Sequence, residues 1–60
     1  MNTITVELTD HASLALAQFL KRVTWSELRA CAVDDEEAYL MRAAVDQVAR
    51  ALADIGYDPR

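Results

Sequence analysis

The sequence has one cysteine, one glycine, one proline and one histidine. A single cysteine cannot form an internal disulfide, and it falls short of the ligand set of a structural zinc site. No uncharged apolar run approaches the roughly 18 residues of a membrane-spanning helix. The N-terminus has no basic segment followed by an apolar core, so we expect no secretory signal. These scarcities argue against disulfide-stabilised, zinc-stabilised and membrane-spanning classes of protein.

The length and composition indicate one small domain. The chain has 60 residues, and we expect a single domain over residues 1–60. Hydrophobic residues make up 53% of it, which is too many for a disordered chain. A domain of this size is marginally stable alone, so a partner or a second copy would complete it.

Acidic charge is concentrated in the second half of the sequence. The formal net charge is −4, and acids balance bases up to Val33, so the whole excess follows that residue. An acidic surface repels nucleic acid and anionic lipid and attracts basic protein surfaces. We therefore expect no direct binding of nucleic acid or membrane, and a protein partner with a basic nucleic-acid-binding surface. The alternative is that the acids only keep a small domain in solution.

The N-terminal segment has the alternating pattern of a strand. Ile4, Val6 and Leu8 would line one face of residues 3–8, and two threonines and a glutamate would line the other. A lone strand has unpaired edges on both sides. It would pair with a second copy, with an irregular segment of the same chain, or with another protein.

Two helices are predicted after this strand. Thr9 or Asp10 can cap the first helix, and an apolar stripe at helical spacing follows. Thr24 and Glu27 form the pattern of a capping box. We therefore end the first helix near Val23 and begin a short second helix directly after that cap. The alternative is one unbroken helix through this region, because no glycine or proline interrupts it.

A third helix has the clearest signals. Asp34 can cap it, and four consecutive acids suit a helix N-terminus. Gly56 fits the position after its last turn. Asp46 and Arg50 have the spacing of an ion pair on one helix face. An apolar stripe runs along it: Met41, Val45, Val48, Leu52 and Ile55.

The predicted fold class is α+β and mostly helical, with one short N-terminal strand followed by two or three helices in the order β-α-α-α. The last helix would be its spine. The predicted core combines the strand with one face of each helix: Val6, Leu8, Leu16, Phe19, Leu20, Leu28, Val45, Val48, Leu52 and Ile55.

Candidate chemistry is sparse. His11 has no suitably spaced nucleophile beside it, and Cys31 lacks a glycine-rich oxyanion loop. The acids at 34–37 lack the glycine and the spacing of a calcium loop and are explained as a helix start. We therefore expect no enzyme activity, no catalytic residue, no metal site and no cofactor.

Partner binding is the remaining class of function. Tryptophan and tyrosine are enriched at the energetic centres of protein interfaces, and acids would guide a basic partner. The candidate partner-binding residues are Asp34, Asp35, Glu36, Glu37, Asp46, Asp54, Trp25 and Tyr39.

Residues 3–32 resemble the ribbon-helix-helix repressors in the order of their elements. The segment 24–29 (TWSELR) looks like the start of that family's second helix. The resemblance implies a dimer formed through the strands and acting as a transcriptional regulator or antitoxin. Where the family places basic or polar side chains for the DNA groove, this chain has Thr3, Thr5 and Glu7, without a lysine or arginine.

A second resemblance is to small acidic phage and mobile-element proteins. The resemblance rests on three segments that look like parts of proteins encoded by short reading frames of that origin: 25–29 (WSELR), 36–41 (EEAYLM) and 55–57 (IGY). In size, charge and layout the chain is similar to type I anti-CRISPR proteins, the type I-C group in particular. This resemblance implies an inhibitor in the bacterial cytoplasm, a monomer or weak homodimer, that binds the crRNA-guided Cascade complex and blocks recognition of target DNA.

Overall fold

Three helices form the described part of the molecule, and the third is its spine. The computed structural model describes residues 1–59. Helix α1 spans Asp10–Arg22, α2 spans Trp25–Cys31 and α3 spans Asp35–Asp54. Helices α1 and α2 each pack against α3. No helix among the described residues is both long and apolar enough to cross a bilayer.

The predicted N-terminal strand, and with it the α+β class, is wrong. Residues 3–8 have no regular secondary structure, and residues 1–59 contain helices but no strand. The backbone of this segment makes no hydrogen bond to any described residue outside it. Alternating apolar and polar residues are typical of a strand, but a strand is stable only where a neighbouring strand supplies hydrogen bonds. One copy of the chain has no such neighbour in its described part.

Side-chain caps set the beginnings of all three helices, as the sequence predicts. The Thr9 hydroxyl accepts a 3.1 Å hydrogen bond from the backbone of Ala12 at the start of α1. Thr24 and Glu27 form the complete capping box of α2, which confirms the break after α1. The Asp34 carboxylate accepts a 2.9 Å hydrogen bond from the backbone N–H of Glu37. These caps satisfy donors that a helix start otherwise leaves unpaired.

A glycine turn ends α3 and directs the chain towards α1. Gly56 has a φ of +106°, a conformation that residues with a side chain rarely adopt. The backbone N–H of Tyr57 donates to the carbonyl of Leu52 at 2.9 Å, and that of Gly56 donates to Ala53 at 3.0 Å. This pair of bonds is the Schellman motif, and it places Tyr57 near α1.

The core is smaller than the sequence predicts, and small residues dominate it. The buried residues are Ser13, Ala17, Leu28, Ala38 and Leu52. The prediction is confirmed for Leu28 and Leu52, and it is wrong for the five predicted core residues that are exposed: Val6, Leu8, Phe19, Val48 and Ile55. The other three are half-buried: Leu16, Leu20 and Val45. A single layer of helices covers only one side of α3, so the apolar side chains on its uncovered side remain in contact with solvent.

Candidate protein-binding surface

Two of the predicted binding residues lie in direct contact across the α2–α3 interface. Trp25 is the first residue of α2, and Tyr39 lies in the second turn of α3. Their ring centroids are 4.7 Å apart, with 39° between the ring planes. Trp25 is 40% exposed and Tyr39 is 66% exposed. The helix packing thus brings two large amphipathic rings together and leaves much of both in contact with solvent.

An ion pair links the same two helices beside the rings. The Arg29 Nε donates a 2.6 Å hydrogen bond to the Asp35 carboxylate, and an Arg29 terminal nitrogen donates to the Ala32 carbonyl at 3.1 Å. Asp35 precedes Tyr39 by one helical turn and therefore lies on the same face of α3. A shallow pocket next to Trp25 is lined by that ring, by Arg29 and by small side chains.

The four acids at the start of α3 have unequal roles. Asp34 caps the helix, and Glu37 accepts a 3.2 Å hydrogen bond from the backbone N–H of Val33. Asp35 is paired with Arg29. Glu36 is exposed, and within residues 1–59 it has neither an ion pair nor a side-chain hydrogen bond. Glu36 is therefore the acid whose charge is most available to a partner.

The other two predicted acids lie away from this cluster. Asp46 is about 16 Å along the helix axis from Asp35, and Asp54 is about 28 Å away, at 1.5 Å per residue. The sequence predicts a pair between Asp46 and Arg50. In the structure Asp46 pairs instead with Arg42, at 3.5 Å. Asp46 also borders a groove that contains both arginines and a lysine. The structure thus places it among cations, apart from the acidic cluster.

The hydrogen bonds of the capping box fix the start of α2, and with it Trp25. The backbone N–H of Thr24 donates to Glu27 at 2.9 Å, and the Thr24 hydroxyl donates to the same oxygen at 3.0 Å. These bonds favour the carboxylate and lower the pKa of Glu27 below its ordinary value of 4.5. Glu27 therefore remains ionised and keeps the cap closed in mildly acidic solution.

Residues for catalysis or metal binding are not gathered at this surface. His11 and Cys31 are exposed on different helices. Among residues 1–59 no group of three or more histidine, cysteine, aspartate or glutamate side chains is arranged to hold a metal ion. The chemistry that the surface offers is aromatic stacking, apolar contact and negative charge.

Sequence reasoning identified the two rings but missed Arg29. The arginine is the residue that joins the rings to the acids, because it spans the loop between α2 and α3. Its position four residues after Trp25 is the available signal, since residues at this spacing share a helix face. The loop geometry that brings it to Asp35 has no signature in the sequence.

Comparison with known proteins gives one match. A family model described as "Family of unknown function (DUF7706)" matches residues 1–60. Neither the curated proteins nor the solved structures contain a significant match.

Proposed function

The chain belongs to the DUF7706 family, whose function is unknown, and we propose that it is a non-enzymatic inhibitor that binds a basic nucleic-acid-binding surface of a protein complex. The binding surface consists of Trp25, Arg29, Asp35, Glu36 and Tyr39, and we name it the aromatic–acidic surface. The exposed contact between Trp25 and Tyr39 beside these acids is the observation that carries the proposal.

The chemistry of the two rings suits a protein partner that presents arginine or lysine. Tryptophan and tyrosine dominate interface energetics because they bury a large area with few rotatable bonds. The face of either ring attracts a guanidinium or ammonium group. A partner surface that binds nucleic acid is rich in such groups.

The charge beside the rings selects the same class of partner. Arg29 neutralises one acid of the cluster, and Glu36 stays unpaired within the described chain. A net negative patch attracts a basic surface over long range and speeds encounter, whereas it repels the phosphates of nucleic acid. An inhibitor of this kind would occupy the place of the nucleic acid on its partner.

The specific target that we propose is a type I Cascade complex, on the resemblance to type I-C anti-CRISPR proteins. Binding of target DNA by purified type I-C Cascade, measured by gel mobility with and without the protein, tests this. We expect the wild-type protein to lower the fraction of DNA bound. Unchanged DNA binding at saturating protein would reject Cascade as the target.

Matched variants test whether the aromatic–acidic surface does the binding. Tyr39→Ala should weaken inhibition on the order of tenfold or more, as expected at an interface centre. Phe19→Ala removes a similarly exposed ring from α1 and should leave inhibition unchanged. Equal inhibition by both variants would place the contact elsewhere.

A second pair of variants tests the charge. Glu36→Gln should slow association with Cascade and reduce its dependence on salt, because it removes an unpaired acid without changing shape. Asp54→Asn removes an exposed charge from the far end of α3 and should have no such effect.

A regulator of transcription is the competing function, and a direct measurement separates the two. Residues 1–9 contain Glu7 but no lysine or arginine, so their side chains offer no cation to DNA phosphates. We expect no binding of duplex DNA by the isolated protein at physiological salt. Tight, sequence-specific binding would overturn the inhibitor proposal in favour of the regulator.

A further inference from the structure

A groove between α1, α3 and the turn after α3 collects cations on a protein that is otherwise acidic. Its lining includes Lys21, Arg42 and Arg50, together with the carboxylates of Asp46 and Asp58. Outside this groove, residues 1–59 contain two basic and eight acidic side chains. The groove, which we name the cationic groove, thus carries a surplus of positive charge in a chain whose net charge is −4.

The three cations of the groove have hydrogen-bond donors that the fold does not use. Lys21 lies 3.7 Å from Asp58 and Arg42 lies 3.5 Å from Asp46, and both distances exceed those of a good hydrogen bond. Arg50 has no ion pair with any described residue. None of the three side chains donates a hydrogen bond within residues 1–59, whereas the arginine between α2 and α3 donates two. These donors are therefore available to a ligand that accepts hydrogen bonds.

The rest of the lining is mainly apolar. Ala17 is buried, and Leu20, Ala49, Ala53 and Pro59 are half-buried. The cavity has a volume of about 420 Å³, within the range of roughly 300–1,000 Å³ that small-molecule sites occupy. Apolar walls with a few charged groups are typical of sites for organic molecules. The groove thus offers space and apolar contact for more than a bare ion.

We propose that the cationic groove binds a small organic phosphate monoester. At neutral pH such a group carries close to two negative charges and has three terminal oxygens that accept hydrogen bonds. Arginine and lysine are the side chains with which proteins bind phosphate. A single carboxylate has one charge and two oxygens, so it matches three cations less well. The carbon part of the ester would lie on the apolar lining.

The charge distribution favours a small ligand over nucleic acid. DNA presents a long line of phosphates, and the acids outside the groove would repel those that extend beyond it. A monoester places its whole charge within the groove. The site is also separate from the aromatic–acidic surface, because Arg50 lies about 17 Å along α3 from Tyr39.

A nuclear magnetic resonance titration of the isotope-labelled chain with phenyl phosphate, in a low-salt buffer without phosphate, tests the site. We expect saturable shifts of the backbone amide signals around the groove. Inorganic phosphate should bind about tenfold more weakly, because it lacks a ring that buries on the order of 60 Å² of apolar surface. Benzoate keeps the ring but carries a carboxylate, and it should also bind more weakly. An absence of saturable shifts with phenyl phosphate at tens of millimolar would overturn the proposal, as would equal affinity for benzoate.

Two matched variants test whether the groove holds the phosphate. Arg50→Gln should weaken binding of phenyl phosphate by about tenfold or more, because it removes a charged hydrogen-bond donor. Arg22→Gln removes the same charge from an exposed position of α1 outside the groove, and it should leave binding unchanged. Both arginines are exposed, so both variants should keep a helical circular dichroism spectrum. Equal weakening by the two variants would contradict the proposal, since it would show a response to net charge alone.

A third variant should act in the opposite direction. Asp46→Asn should strengthen binding of phenyl phosphate, because it removes the carboxylate that competes for Arg42. Weaker binding by this variant would be evidence against the site. Tyr39→Ala, which tests the inhibitor proposal, should leave binding of phenyl phosphate unchanged, so the two proposals can fail independently.

Discussion

The phenol of Tyr57 donates a 2.8 Å hydrogen bond to a carboxylate oxygen of Asp10, across a sequence separation of 47 residues. The bond joins the turn after α3 to the first turn of α1. Lys21 and Asp58, 3.7 Å apart, connect the same C-terminal turn to the last turn of α1. In a molecule with few buried side chains, these contacts define where α1 lies along the spine.

The first prediction concerns alkaline solution. The hydrogen bond to Asp10 raises the pKa of Tyr57 above its ordinary value of 10.0. The protonated phenol is the form that the fold favours, so its stabilising contribution is complete below pH 10 and is lost as pH rises through the raised pKa. Thermal melts of the wild type should therefore show a stability loss in this range that Tyr57→Phe lacks.

Tyr39→Phe is the control for this experiment. It removes the other phenol, which is exposed on α3, and it should retain the alkaline loss of the wild type. In that variant Tyr57 is the remaining tyrosine, so its ultraviolet titration can be followed alone. A titration midpoint at or below 10.0 would contradict the assignment of the bond.

The second prediction concerns the packing of α3 against the other helices. Ala38 is 0% exposed, so the helices leave no space beyond its methyl group. Ala38→Leu should destabilise the fold by about 1–3 kcal/mol through overpacking. Ala43→Leu makes the same change at an exposed position of the same helix and should cost almost nothing. Denaturant unfolding of both variants checks this, and equal midpoints would show that Ala38 is not a packing contact.

Local features of the fold could be predicted from the sequence, because they depend on residues a few positions apart. The break before α2 depends on Thr24 and Glu27, and the end of α3 depends on Gly56. The exposed rings of Trp25 and Tyr39 were likewise identifiable as binding candidates. Their mutual contact was not, because it depends on how α2 packs on α3.

Features that depend on distant neighbours were predicted wrongly. The strand predicted at residues 3–8 rests on alternating apolar and polar residues. Such a pattern shows that a segment has one apolar face, but it does not show that a second strand is there to pair with it. The apolar stripe of α3 predicts that Val48 and Ile55 are buried, but both are exposed. Helical periodicity identifies an apolar face without showing what covers that face. Ala38 was overlooked, since a small side chain signals close helix packing only weakly.

The third prediction locates the packed face of α3. Leu52 is 7% exposed, and Leu40 on the same helix is 66% exposed. Leu52→Ala should destabilise the fold by about 2–5 kcal/mol, since it removes buried methyl groups and leaves a cavity. Leu40→Ala deletes the same atoms at the surface and should change stability by less than about 0.5 kcal/mol. Thermal melts compare the two variants, and a similar loss in both would mean that Leu40 is covered in solution.

The fourth prediction concerns the turn after α3. A methyl group at Gly56 would meet nothing within 4 Å, so the positive φ is the obstacle to substitution there. Gly56→Ala should cost about 1–2 kcal/mol from the left-handed backbone conformation. Gly56→Asn should cost less, because asparagine tolerates this conformation better. Denaturant unfolding ranks the two variants, and the opposite order would point to a steric contact instead.

The last prediction concerns the capping box in acid. Hydrogen bonds from Thr24 lower the pKa of Glu27 from its ordinary value of 4.5. The ionised carboxylate is favoured in the folded state, so its contribution is complete above pH 4.5 and is lost as pH falls through the lowered pKa. A nuclear magnetic resonance titration should place the Glu27 midpoint below 4.5, and Thr24→Ala should move it upward, because that change deletes the hydroxyl donor.

The matching stability measurement uses two glutamines. Glu27→Gln cannot titrate but can still accept from the Thr24 backbone, so part of the acid-induced fall in melting temperature should disappear. Glu7→Gln removes an exposed carboxylate from residues 3–8, which have no regular secondary structure, and is the control for the loss of one negative charge. If both variants lose stability in acid as the wild type does, the cap does not depend on the ionisation of Glu27, and the start of α2 must be held by the Thr24 hydroxyl and by packing against α3.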